Sequence, residues 1–388
     1  MPGRIFLYGA TGYMGGLVAQ AMVARGARPI LAGRSQDRLN AVAARLGQAG
    51  GGIELETAAI GIEKADRLRN LLRCGDVLVS TAGPFLKVGR PVVEAAVGAG
   101  AIYLDSSGEP PFIRQVFEEF GPRAERTGAV LLTAFGYDYV PGNLAGALAL
   151  ESAGPAATQV QVGYFVRGNI RKGTSAGTRA SVAGVLLEPG YAFHDGRVVG
   201  ERTAARVMSF KIGGTKRDGF SIGSSEHFAL PRLRPGTVGA GDIPAQARLT
   251  DVGVYLGWYG AATKPVHYAS TFAAPLERLA VVRRTLDAEA RRIQRSRTGP
   301  AAEQAIRSDV VAIAADAHGA TLSVVHLTGG DPYSFTAPML AFGASHAAGQ
   351  GVQGAGALGP VEAFGLGNLE AACATAGFRR EAAVLASR

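Results

Sequence analysis

Along the first 140 residues, short apolar runs alternate with amphipathic stretches. Ile5-Phe6-Leu7-Tyr8 is a continuous apolar run ending at Gly9, the pattern of a strand buried on both faces of a parallel sheet. A helix is expected over 15–25, with Leu17, Val18, Ala21 and Met22 on one face. Pro29-Ile30-Leu31-Ala32 reads as a second strand. Leu39, Val42, Ala43 and Leu46 then recur at i, i+3, i+4 and i+7, an amphipathic helix that Gly47 would close. Ile53-Glu54-Leu55-Glu56-Thr57 reads as a third strand, followed by a helix over 65–72. Val77-Leu78-Val79-Ser80 is the fourth, and Pro91 suits the first turn of the helix after it. Ile102-Tyr103-Leu104 and Ala129-Val130-Leu131-Leu132 are strands five and six, with a helix over 113–126 between them. Alternation repeated this often predicts an α/β fold with a doubly wound parallel sheet.

After Leu150 the period changes. Val160-Gln161-Val162-Gly163-Tyr164-Phe165-Val166 alternates like a strand of an open sheet, as do the stretches 207–212 and 321–327. Helices are expected from about Thr178 and across 278–297, and the Pro- and Gly-rich span 230–251 reads as a surface loop. This is a second, α+β domain. The expected division is residues 1–140 and 141–339, with 340–388 returning to the first domain.

Composition narrows the picture. A chain of 388 residues, 47% hydrophobic and 18% charged, fits two soluble globular domains and excludes wholesale disorder. Its apolar runs fall short of the roughly 18–20 residues that span a bilayer. The N-terminus lacks the pattern of a signal peptide, and Cys74 and Cys373 are the only cysteines, so a cytoplasmic protein without a disulfide framework is expected. The six histidines are scattered away from metal-ligand spacings, so no metal is expected. The net charge of +9 is dispersed, and no nucleic-acid module accompanies it. Its densest block, within 283–297, reads as a solvated helix face; weak contact with an anionic membrane surface is the alternative.

The most specific chemistry lies in Gly9-Ala10-Thr11-Gly12-Tyr13-Met14-Gly15, directly after strand one and opening helix one. Gly9 permits the tight turn, Gly12 lets backbone approach a pyrophosphate, and Gly15 lets helix pack on strand. With Thr11, Tyr13 and Met14 these residues form a dinucleotide-binding turn at a helix N-terminus; a purely structural turn is the bland alternative. The end of strand two then selects the dinucleotide. An acid there would hold the ribose hydroxyl of NAD, but the chain offers Ala32-Gly33-Arg34-Ser35. A guanidinium and a hydroxyl suit the 2′-phosphate of NADP, unless Arg34 is simply a surface residue.

Three further loops fall on the same carboxyl edge. Thr81-Ala82-Gly83-Pro84 follows strand four, with small residues against which a ribose or nicotinamide can lie. Asp105 and Ser106 follow strand five; they either contact the cofactor or cap the next helix. Tyr137, Asp138 and Tyr139 follow strand six and, with Lys87, are the candidate proton donors; for the tyrosines, packing of the domain hinge is the alternative.

These stretches together resemble the saccharopine dehydrogenase-like oxidoreductases, and within them the bacterial trans-acting enoyl reductase type. The glycine turn with Ala-Gly-Arg after strand two, the 81–85 turn, and the stretches 103–109 and 135–143 carry the likeness. Ser175-Ala176-Gly177-Thr178 and Gly359-Pro360-Val361-Glu362-Ala363-Phe364-Gly365 extend it more sparsely. The resemblance implies an NADP-binding Rossmann domain, a second domain with a mixed sheet often used to form homodimers, and a C-terminal return to the first domain. The expected activity is hydride transfer between NADPH and a C=C, C=N or C=O bond of a small-molecule or acyl substrate, with Arg179 available to clamp an acidic group. An amino-acid-derived imine is the second substrate reading. A non-catalytic NADP-binding sensor is the alternative from another class.

Overall fold

The computed structural model describes residues 3–168, 189–233, 248–276 and 306–381. The first sheet holds seven strands, all paired in parallel. They are β1 (Ile5–Tyr8), β2 (Ile30–Gly33), β3 (Thr57–Ala59), β4 (Val77–Ser80), β5 (Ile102–Asp105), β6 (Val130–Leu132) and β15 (Gly356–Ala357). Their order, β15-β6-β5-β4-β1-β2-β3, reverses beside β1, so the chain winds helices onto both faces. β1, β4, β5 and β6 are buried along their whole length, which is why they read as unbroken apolar runs.

Helix α1 (Tyr13–Ala24) packs against the long helix Pro332–Gln350, which also covers β4 and β5. The chain therefore re-enters the first sheet through that helix and adds β15 beside β6.

The second sheet is mixed and, among the described residues, nine-stranded. Its centre is β7 (Gln159–Arg167), flanked in parallel by β12 (Asp251–Leu256) and antiparallel by β13 (Arg307–Ala315). β14 (Thr321–Gly329) continues beside β13. Helix α7 (Val140–Ala153) is buried over nearly its whole length and packs on β7, β13 and β14, so it joins the two sheets. Its mostly apolar sequence up to Leu150 follows from having protein on every side there.

Several elements differ from the sequence reading for local reasons. β3 is Thr57–Ala59 rather than 53–57, because an edge strand leaves Glu54 and Glu56 exposed and its alternation does not fix where the ladder starts. Gly47 does not end its helix, which runs Gln36–Ala49. It lets the Ile53 carbonyl approach to where a Cβ would sit only 2.5 Å away. Helix α4 (Phe85–Ala99) starts six residues before Pro91 and carries that proline in its interior. The helical run expected over 113–126 spans Pro110–Gln115, Val116–Phe120 and Gly121–Thr127, with a wider turn in the middle next to Pro122.

Within the span read as a loop over 230–251, Leu230–Arg232 forms a short 3₁₀ turn and residues 234–247 lie outside the described residues. The helix starting near Thr178, Arg179 and the Arg-rich stretch 283–297 also lie outside them. No described helix is long and apolar enough to cross a membrane.

Candidate functional site

Because the first sheet is parallel, the loops after β1, β2, β4, β5 and β6 open on one edge. The glycine turn is built for close approach. Gly9 has φ +88°, and a Cβ on it would lie 2.9 Å from Thr81 Oγ1. A Cβ on Gly15 would lie 2.2 Å from the Gly9 carbonyl oxygen, so helix α1 presses directly on the turn. α1 begins at Tyr13 with Gly12 as its N-cap, and no side chain caps its first turn. Thr11, Gly12 and Tyr13 are exposed and Met14 half-buried. An uncapped helix start at an open glycine cradle fits an anionic pyrophosphate.

At the end of β2, Arg34 is exposed and Ser35 half-buried. Ser35 is the N-cap of the Gln36–Ala49 helix, yet its hydroxyl makes no capping bond, and Asp37 belongs to that helix's first turn. The Arg34 and Ser35 side chains together offer the donors a ribose 2′-phosphate needs. Glu63 reaches the same corner: its charge and that of Arg34 both act on the Tyr8 hydroxyl, whose pKa is raised chiefly by burial. Sequence spacing gives no sign of this carboxylate, because only the β2–β3 pairing brings it there.

The remaining loops are fastened to one another. The Thr81 hydroxyl lies 3.3 Å from the carbonyl oxygens of Tyr8 and Gly9. Glu109, past β5, accepts from the Phe85 and Leu86 backbone N–H groups at 2.9 Å each and so caps α4. Asp105 accepts from Ser107 N, Ala134 N and Thr133 Oγ1 at 2.8, 2.9 and 2.9 Å, tying the β5 loop to the β6 loop. Its carboxyl is raised to about 6 by burial, partly offset by those donors. Tyr137 N donates to Thr336 Oγ1 of the returning helix at 3.0 Å. Thr81, Ala82, Pro84 and Ser106 are left half-buried and Gly83 exposed, a polar rim on a fixed scaffold.

The four proton-donor candidates part ways. Lys87 is exposed on α4. Tyr137 is fully buried, its ring against Tyr164, Trp258 and Phe378 and its hydroxyl beside the Ser308 hydroxyl and the Trp258 indole N–H. Tyr139 is buried edge-on to Tyr164, and burial beside Asp138 and Glu226 drives its pKa well up. Asp138 is half-buried and lies against Gly108 of the β5 loop, where a Cβ would meet its Oδ2 at 2.8 Å. Desolvation raises its carboxyl to about 6. The structure thus sets Asp138 at the rim and the two tyrosines behind it.

Behind the tyrosines lies a group that sequence reasoning missed. Glu226 is fully buried, and burial raises it to about 7. It accepts from the Tyr164 hydroxyl, which in turn accepts from Gly142 N at 2.8 Å. No motif marks Glu226; only the packing of the short Glu226–Ala229 helix on α7 brings it there.

Residues 5–132 match the family described as saccharopine dehydrogenase NADP binding domain. A Mycobacterium tuberculosis protein provisionally named a trans-acting enoyl reductase is 36% identical over 185 residues, 47% of this chain and 44% of that one. The trans-acting enoyl reductase of Mycobacterium ulcerans is 37% identical over 143 residues, 36% of this chain and 34% of that one. A lipid droplet localized protein of Caenorhabditis elegans is 32% identical over 146 residues, again 36% and 34%. The chain thus covers less than half the length of these relatives.

Proposed function

We propose, from the match of residues 5–132 to the saccharopine dehydrogenase NADP binding domain, that this chain is an NADP-dependent reductase of an unsaturated small-molecule or acyl substrate. The observation that carries the reading is that the Gly9–Gly15 turn, Arg34 and Asp138 all follow strands of one parallel sheet and so fall at the same edge of it. When bound, NADPH supplies the hydride and its electron pair.

The chain's own residues do the rest. The uncapped start of α1 holds the pyrophosphate, Arg34 and Ser35 hold the 2′-phosphate, and the 81–84 turn bears the sugar and ring. Asp138, with a carboxyl near pKa 6 at the rim, delivers the proton that completes reduction and recovers it from water. The names of the mycobacterial relatives favour a C=C bond of an acyl compound over an amino-acid-derived imine. Both cysteines are free, which suits a cytoplasmic enzyme. The test is NADPH oxidation across enoyl thioesters, ketones and amine–keto-acid pairs. Turnover is expected on the enoyl thioesters, and turnover confined to the amine–keto-acid pairs would reverse the substrate assignment.

A further inference from the structure

Glu226, fully buried behind the Asp138 rim, is an acid that the proton step leaves unused. Its carboxyl lies at the first turn of α7, the helix that begins directly after Tyr139. A Cβ on Gly142 would overlap both Glu226 Oε1 and the Tyr164 hydroxyl oxygen, so a glycine is what lets them reach the turn.

The Tyr164 hydroxyl is the junction. It accepts from Gly142 N at 2.8 Å and has two acceptors in reach, Glu226 Oε1 at 2.6 Å and the Tyr139 carbonyl oxygen at 3.2 Å. A hydroxyl carries one proton, so it serves one of the two at a time. With Glu226 ionised, the carboxylate takes that proton, since a charged acceptor binds it about twice as strongly as a neutral carbonyl. With Glu226 protonated, its own O–H donates to the Tyr164 oxygen, and the Tyr164 proton turns to the Tyr139 carbonyl. Asn143 N and Nδ2 then complete the hold on that carbonyl, at 3.2 and 2.9 Å.

Tyr164 faces Glu226 from β7, Asp138 and Tyr139 from the loop before α7, and Tyr191 from the strand Pro189–His194; Ser224 and His227 belong to its own segment. Of these only Asp138 titrates in the same range. Desolvation lowers His227 to about 3, and burial drives all three tyrosines well up.

We propose that Glu226 is a positioning residue for Asp138: protonated, it lets the Tyr164 hydroxyl hold the Tyr139 carbonyl and so fix the turn that carries the proton donor, and ionised, it releases that hold. The inference rests on the reading of Asp138 as the proton donor.

Tyr139-Val140 is the only Tyr-Val step in the sequence, so carbonyl-¹³C tyrosine combined with ¹⁵N valine isolates the Tyr139 carbonyl by nuclear magnetic resonance. In the full-length protein this signal is expected to move in a step centred near pH 7. Asp138→Asn should retain the step, and Glu226→Gln and Tyr164→Phe should each abolish it. NADPH oxidation is followed on the same proteins with whichever unsaturated substrate turns over. Glu226→Gln cannot ionise, so its kcat relative to the parent should rise about 3- to 10-fold from pH 5 to 8, the worth of one hydrogen bond, while the KM ratio stays level. In a Tyr164→Phe background the same substitution should give a flat kcat ratio. Absence of the Glu226-dependent step, or a flat kcat ratio in the parent background, overturns the inference. So does a ratio that rises equally without the Tyr164 hydroxyl. The step in place with no turnover on any substrate would instead overturn the reductase reading and leave the Glu226–Tyr164 hold standing.

Discussion

The Tyr164 hydroxyl donates to Glu226 Oε1 at 2.6 Å, and the Glu226 carboxyl is fully buried. Burial raises this carboxyl from its usual 4.5 to about 7, with a smaller contribution from the charge of Asp138. Between those values the folded protein holds a proton that the unfolded chain releases, so stability falls as pH rises. Two to three pKa units correspond to roughly 3 kcal/mol. The buried neighbour His227, lowered from 6.5 to about 3, works in the opposite direction below pH 6.5. The contribution of Glu226 is therefore read as a difference. Glu226→Gln is expected to gain stability relative to the parent protein as pH goes from 5 to 8, measured by urea denaturation at each pH. Parallel curves for the two proteins would contradict the assignment.

Glu109 holds α4 by its first two N–H groups from 24 residues away in sequence. Glu109→Ala removes the cap and leaves Phe85 N and Leu86 N without these acceptors. The expected cost is about 1–2 kcal/mol in urea denaturation, together with weaker NADPH binding, because the 81–84 turn leads straight into that helix. An unchanged midpoint would show that the cap is dispensable.

Arg34→Ala should cost NADPH about 10- to 100-fold in affinity, the worth of a charged hydrogen-bonded contact, and leave NADH nearly unaffected. Fluorescence titration with both coenzymes checks this. Equal affinities in the unaltered protein would remove Arg34 from recognition of the 2′-phosphate.

Gly12→Val places a branched side chain at the uncapped start of α1, where its Cβ alone would stand 3.3 Å from the Gly9 carbonyl oxygen. Binding of both coenzymes should be lost while the circular-dichroism spectrum stays near that of the parent. Normal binding would move the pyrophosphate off this turn.

Asp138→Asn should lower turnover by about 10²–10⁴-fold while NADPH binding persists. In the unaltered protein, activity should decline above pH 6, as the Asp138 carboxyl loses its proton. A flat pH profile across 5–8 would take Asp138 out of the proton step.

The parallel sheet was legible because β1, β4, β5 and β6 are buried on both faces and therefore read as plain apolar runs. The glycine turn was legible because its chemistry is local in sequence. The start of α4 was not, since its cap, Glu109, comes from beyond β5 and the proline inside the helix pointed elsewhere. Tyr137, Asp138 and Tyr139 look alike as polar residues of one loop. They are told apart only by Tyr164 and Trp258, which arrive from the second sheet. Glu226 and Glu63 stayed hidden for the same reason: each gains its meaning from a neighbour distant in the chain.

Hydride transfer from NADPH is tested most directly by following an isotope from coenzyme to product. The protein is incubated with NADPH deuterated at nicotinamide C4 and with each enoyl thioester, and the products are examined by mass spectrometry. The expected product carries one deuterium from the coenzyme and one hydrogen from solvent, with one NADP⁺ formed per product. Tight NADPH binding with no deuterium transferred to an enoyl thioester, ketone or imine would contradict the account and mark the chain as an NADP-binding sensor.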